Sequence, residues 1–101
     1  MRVFVDIFGD KITLTDERLA HILEHPEMIG QINKMAQVLL KPEKVTQSQS
    51  DETVRLYYRW QNKILDGKYI CVAVKWSPRR AFVITSYFTD RIKKGVTIWQ
   101  K

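Results

Sequence analysis

Apolar and polar positions alternate over residues 2–7, where Val, Phe and Ile supply the apolar ones, and this pattern predicts a strand. Gly9-Asp10 is a turn signal, and residues 11–14 return as a second short strand. The period then changes. Thr15 is a suitable helix N-cap, Asp16 and Glu17 place acids in the first turn, and Leu19, Ile22 and Leu23 form one apolar stripe. His25-Pro26 ends that helix, because a residue before proline avoids the helical region. Pro26 opens a second helix in this reading, with Ile29, Ile32, Met35, Ala36 and Leu39 along one side and Lys41-Pro42 at its end.

The rest of the chain reads as consecutive strands. Residues 45–48 make a short one, and Ser50-Asp51-Glu52 is a turn. Residues 53–60 and 68–76 are long strands joined across Asp66-Gly67. Ser77-Pro78-Arg79-Arg80 turns into a strand over 81–88, residues 90–95 form a basic turn, and 96–99 a last strand. Helices followed by a run of strands predict an α+β domain, its N-terminal helices packed on one face of an antiparallel sheet of four or more strands.

Strand parity predicts what each face carries. Val54, Leu56, Tyr58 and Trp60 alternate with Arg55, Tyr57 and Arg59. Ile70, Val72 and Val74 alternate with Tyr69, Cys71, Ala73 and Lys75. Phe82, Ile84, Ser86 and Phe88 alternate with Val83, Thr85, Tyr87 and Thr89. Turning the apolar sets toward the helices buries Leu56, Val72, Val74 and Ile84. It leaves Arg55, Tyr57, Arg59, Tyr69, Lys75, Thr85, Tyr87 and Thr89 on the open face. Each alone is also an ordinary solvated strand residue; the set points further.

Charge sharpens that picture. Residues 1–50 carry 6 Lys/Arg against 7 Asp/Glu, whereas residues 51–101 carry 11 against 4. Nine of the eleven aromatic residues share the basic half. Cations release counterions from phosphates and rings stack on unpaired bases, so the expected partner is RNA, single-stranded or looped, before duplex DNA. The length of 101 residues suits one domain. Cys71 is the lone cysteine, so no intrachain disulfide forms; in an apolar run it reads as packing, and a reducing cytoplasm is the expected compartment. No stretch reaches the ~20 apolar residues of a membrane helix, and no membrane partner is expected. The first residues have no signal-peptide core, since an acid comes at Asp6.

Candidate chemistry is sparse. His21 and His25 are four residues apart, half of a zinc site with no completing cluster, so no metal and no cofactor are expected. There is no Gly-rich phosphate loop and no serine elbow. RNA cleavage needs little, because the 2′-hydroxyl is the nucleophile. A base, an acid and cations for the phosphorane suffice. His21 or Tyr87 can move protons, Arg55, Arg59, Lys75 and Arg91 can supply charge, and the hydroxyls of Thr85, Tyr87 and Thr89 can hold phosphate or base.

A set of motifs is also familiar. Ile12-Thr-Leu-Thr-Asp-Glu-Arg-Leu-Ala-His-Ile22 is followed by His25-Pro-Glu27, Pro42-Glu-Lys-Val45 and Val54-Arg-Leu-Tyr-Tyr-Arg59. Lys68-Tyr-Ile-Cys-Val-Ala-Val-Lys75, Val83-Ile-Thr-Ser-Tyr-Phe-Thr-Asp90 and Lys93-Lys-Gly95 complete it. Together, over about residues 12–99, these resemble the phage-type nucleases of the barnase–EndoU–colicin–RelE-like superfamily, small bacterial and phage-associated domains. Residues 1–11 would be an extra N-terminal strand. The resemblance implies a curved antiparallel sheet with substrate on its open face. It implies metal-independent endoribonuclease activity, often that of a toxin neutralised by a small antitoxin or immunity protein, which an acidic partner would suit here. His21, Arg59, Lys75, Thr85, Tyr87 and Thr89 are the positions it carries over, and the charge argument adds Arg55 and Arg91. His21 is then the proton-transfer group, Arg59 and Lys75 are phosphate clamps, and Tyr57 and Tyr87 stack on bases or handle protons. The alternative is a non-catalytic module of the same fold that binds RNA or a protein.

Overall fold

A computed structural model of the chain describes residues 1–62 and 67–101. The turn at Gly9-Asp10 closes a hairpin of β1 (Arg2–Val5) and β2 (Lys11–Leu14). Helix α1 (Asp16–Leu23) follows, then a single 3-10 turn (Pro26–Met28) and helix α2 (Ile32–Leu40). Strands β3 (Lys44–Gln47), β4 (Val54–Gln61), β5 (Lys68–Ser77), β6 (Arg80–Thr89) and β7 (Val96–Gln100) complete the chain. The Asp66-Gly67 turn expected between β4 and β5 lies partly outside the described residues. Gly67 itself has φ +97°, and a Cβ there would collide with the Trp60 indole.

The seven strands form one sheet in the order β1-β2-β6-β5-β4-β3-β7. The helices are not N-terminal, since the β1–β2 hairpin precedes them and joins the sheet. The sheet is mixed rather than antiparallel throughout, because β2 runs parallel to β6. A parallel pair needs a long connection, and here the helices and β3 to β5 provide it.

Local chemistry explains the helix ends. Thr15 Oγ1 accepts the Arg18 amide at 3.2 Å, the N-cap the sequence predicts. The second helix is shorter than expected. Gly30 sits at φ +81°, in the left-handed region, and separates the 3-10 turn from α2. Ile29, expected on the apolar stripe, is therefore 64% exposed. Ile22, Met35, Val38 and Leu39 do face the sheet, where they pack with Ile70, Val72, Val74 and Val83.

The β4 parity is the reverse of the expectation. Tyr57 is fully buried on the helix side, with Arg55 and Arg59 on the same side of the strand, while Leu56 and Tyr58 turn to the other face. The cause is Asp6, which is 1% exposed. Its carboxylate accepts the amides of Phe8 at 3.0 Å and Asp10 at 2.9 Å, which shapes the hairpin turn. Its second oxygen accepts the Tyr57 hydroxyl at 2.5 Å. A buried carboxylate is tolerable only when its oxygens are met, and the phenol meets one of them.

On β6 a bulge changes the parity midway. Ala73 pairs with Thr85 and Val74 with Val83, so Ile84 is the extra residue. Ala81 and Val83 therefore join the helix-side core, whereas Phe82 and Ile84, expected there, face the other way. Thr85, Tyr87 and Thr89 stay on the face away from the helices, as expected.

That second face is not wholly open. Residues 90–95, the connection from β6 to β7, lie across it as a strap. Ile92 packs on a small second core of Leu56, Tyr58, Cys71 and Ala73, and the Lys93 amide donates to the Tyr58 hydroxyl at 3.2 Å. Gly95 lets the strap pass β3 closely, since a Cβ there would strike the Gln47 carbonyl oxygen. Among the described residues no helix is long and apolar enough to cross a membrane.

Candidate nucleic-acid interface

The strap face gathers rings and cations along β6. Arg80 stacks its guanidinium over Phe82, 5.1 Å from the ring centre. Five residues on, the Lys93 ammonium lies 5.8 Å from the centre of the Tyr87 ring. At the end of the strand Tyr69 pairs with Thr89 and meets Trp60 edge to face at 4.9 Å, with Trp60 37% exposed. Parity places Lys11 and Thr13 of β2 on the same face, beside Phe82. Arg91, Lys93 and Lys94 of the strap are exposed.

A cleft of about 420 Å³ opens between the strap and the β3–β4 turn, lined by Ser48, Gln49, Ser50, Leu56, Lys93 and Lys94. The Ser48 and Ser50 hydroxyls lie 3.1 Å apart at its rim. The neighbouring Thr46 hydroxyl is buried and has no partner among the described residues. The cleft thus offers hydroxyls and ammonium groups together, the chemistry that holds a phosphate.

The expected site residues divide among three places. Lys75, Thr85, Tyr87 and Thr89 share the strap face, and Arg91 follows Thr89 at the start of the strap. Lys75 is not free there: its ammonium donates to Asp51 at 2.8 Å. That contact, with donors from Thr53, holds the Asp51 carboxyl well below the usual carboxylate range. Thr89 Oγ1 donates to the Arg91 carbonyl at 3.2 Å and fixes the start of the strap.

Arg55, Tyr57 and Arg59 lie on the opposite, helix side, contrary to expectation. Arg55 is stacked 4.4 Å from the Trp76 ring centre and 5.4 Å from that of Phe8. Tyr57 is committed to Asp6, and burial first, then that carboxylate, pushes its phenol far above the usual range. Arg59 Nη1 donates to the Lys41 carbonyl at 2.7 Å.

His21 is on the exposed side of α1, its Nδ1 3.8 Å from the Glu24 carboxylate, and so in the helix layer rather than on the strap face. His25 falls beyond the helix, before Pro26, and does not continue its face.

Protonation on the strap face is one-sided. Burial, then Cys71, raises the Tyr87 phenol far above its ordinary value, and burial does the same to Tyr58. Burial pushes the Cys71 thiol up to about 11. These groups keep their protons at neutral pH, and the upward shift makes the Tyr87 hydroxyl a weaker acid than a free phenol. Sequence reasoning missed Arg80, Phe82, Trp60, Lys93 and Lys94 as members of this face. The readable signal was the strap's composition: a lone apolar Ile92 among Arg91, Lys93 and Lys94, which suits a segment lying on a surface.

Comparison with protein-family models, with curated proteins and with solved structures finds no match to this chain.

Proposed function

We propose that the protein binds single-stranded RNA along β6 on the strap face. One observation carries this: Arg80 over Phe82, Lys93 over Tyr87 and Trp60 against Tyr69 repeat a ring with a cation or second ring along one surface. The ten residues of β6 run about 30 Å at the usual strand rise, room for several nucleotides. Each stacked base would add ~1–3 kcal/mol, and the strap cations would take the phosphates. Unpaired bases fit because duplex bases offer no faces for stacking.

A second reading, metal-independent endoribonuclease action of the toxin type on the same face, rests on the motif resemblance to the barnase–EndoU–colicin–RelE-like nucleases. Tyr87 would protonate the leaving 5′-oxygen, an alkoxide basic enough to take a proton even from a phenol of raised pKa, and Lys93 and Arg91 would meet the charged phosphorane. Among the described residues the base is the missing part: Asp51 is tied to Lys75 and Thr53, and His21 is in the helix layer. Binding is therefore the primary reading and cleavage the secondary. The cytoplasm is the compartment in which such RNA would be met. An acidic antitoxin or immunity protein would have to cover the same cations.

The test is fluorescence anisotropy with a labelled single-stranded RNA. Affinity should fall steeply with salt, and Arg91→Ala/Lys93→Ala/Lys94→Ala should reduce the logarithmic salt slope by about two to three contacts. Equal binding by this variant, or tighter binding to duplex than to single strand, would overturn the reading.

A further inference from the structure

Arg59 leaves β4 on the helix side and turns into a separate cleft of about 350 Å³, between the end of α2 and the last strand. Leu40, Lys41, Pro42, Trp99 and Lys101 line it with Arg59. Three of these residues are cations, and no carboxylate side chain is among the described lining residues. None of the three cations is in an ion pair among the described residues. Arg59 is held in place by one donated hydrogen bond, from Nη1 to the Lys41 carbonyl. A guanidinium has five N–H donors, so most of its planar edge is uncommitted, the edge that meets phosphate in bidentate fashion.

The rest of the cleft is apolar. Trp99 packs one side on the helix-side core and lines the cleft as an aromatic wall. Leu40 is 48% exposed beside it. A concave site of a few hundred Å³ with apolar walls and a few converging polar groups is suited to a small ligand.

We propose that this cleft binds a nucleotide, with the phosphate on Arg59, Lys41 and Lys101 and the base against Trp99. Arg59 also satisfies a carbonyl at the C-terminus of α2, where the helix dipole favours a cation. That role alone uses one donor and requires neither the other two cations nor the aromatic wall. The inference does not rest on RNA binding along β6, which uses the opposite face of the sheet.

The experiment is a ¹H–¹⁵N NMR titration of the full chain with 5′-AMP, and in separate arms with inorganic phosphate and with adenosine. AMP should shift the Trp99 indole and Arg59 signals together and saturably. Phosphate should move Arg59 more weakly and leave the Trp99 indole nearly still, and adenosine should do the reverse. Lys41→Ala/Lys101→Ala keeps the Lys41 carbonyl and thus the contact to Arg59, so it should fold. It should bind AMP about 10-fold more weakly, the loss expected for charge-assisted hydrogen bonds. Arg59→Ala should lose more. No saturable shift at Trp99 by about 10 mM AMP, an affinity beyond any useful recognition, would overturn the proposal. So would an unchanged affinity in the double lysine variant, or shifts confined to Tyr87 and Lys93. Arg91→Ala/Lys93→Ala/Lys94→Ala should leave the AMP shifts at Trp99 intact, so the two surfaces can fail separately.

Discussion

The hydroxyl of Tyr57 donates to the buried carboxylate of Asp6 at 2.5 Å, joining β4 to the end of the first hairpin strand across 51 residues of sequence. This contact selects which face of β4 turns to the helices. Tyr57→Phe keeps the ring and removes the donor, leaving one carboxylate oxygen buried and unmet. Urea unfolding should show a loss of about 1–3 kcal/mol, the usual penalty for a buried polar group that loses its partner. A loss below about 0.5 kcal/mol, the level of a neutral surface change, would mean that the hairpin and not the phenol fixes the face.

The strap depends on a residue with no side chain. Gly95→Ala would press a methyl group into the Gln47 carbonyl, so the strap must lift there. The Lys93 amide, bonded to the Tyr58 hydroxyl, should then exchange with solvent faster than in the parent chain, while amides of β5 keep their protection. Unchanged exchange at Lys93 would show that Ile92 alone anchors the segment.

Asp51 and Lys75 make a pH-dependent pair. Lys75 first, and Thr53 next, lower the folded pKa of Asp51 below its unfolded value. Stability from this group is therefore complete above the ordinary carboxylate pKa of about 4 and is lost as pH falls through the depressed folded value. Asp51→Asn should flatten the acid limb of a stability profile in that window and leave the profile near pH 7 parallel to the parent's. It should also free Lys75 on the strap face. RNA affinity at low salt should rise a few-fold, and the salt slope should steepen by about one contact. Weaker RNA binding by Asp51→Asn would show that Lys75 does not lie on the RNA track.

Most element boundaries were legible because their signals are local. Gly9-Asp10, the Thr15 cap, His25-Pro26 and the turn at Ser77–Arg80 each act within a few residues. The face of β4 was not legible, because both of its alternating sets contain large apolar or aromatic groups. Asp6, far away in sequence, decides between them. The β6 bulge was equally hidden, since Phe82, Val83 and Ile84 are all apolar and any one can face a core. Ile92 then gives the second face a core of its own, which frees Leu56 and Ile84 to pack there. The site was legible in the same measure. Parity that rested on β5 and on β6 after the bulge placed Lys75, Thr85, Tyr87 and Thr89 together. Parity that rested on β4 put Arg55, Tyr57 and Arg59 on the wrong side. His21 rests on its chemistry and on the family resemblance, and the helical periodicity from Thr15 already puts it in the helix layer, away from the open face.

If the strap face cuts RNA, the 2′-hydroxyl gives its proton to water and attacks the adjacent phosphorus, the bond to the 5′-oxygen breaks as that oxygen takes the Tyr87 proton, Tyr87 regains a proton from water, and the product ends in a 2′,3′-cyclic phosphate. Replacing that hydroxyl by hydrogen in the substrate should abolish the reaction, and a chelator should not. Tyr87 would be the acid, because its hydroxyl is on the strap face with the Lys93 ammonium over its ring, and a leaving alkoxide is basic enough to take a proton even from a phenol of raised pKa. Tyr87→Phe should slow cleavage by about 100-fold or more, the usual contribution of a positioned proton donor, while keeping RNA affinity within a few-fold. His21→Ala should change the rate little, since His21 is exposed on α1 in the helix layer. A large loss in His21→Ala, with Tyr87→Phe fully active, would move the chemistry to the helix layer and require the RNA to cross the edge of the sheet. No cleavage of any RNA by the pure protein would leave binding as the whole of its action on this face, and the salt-dependent affinity of the strap variants would then be its measure.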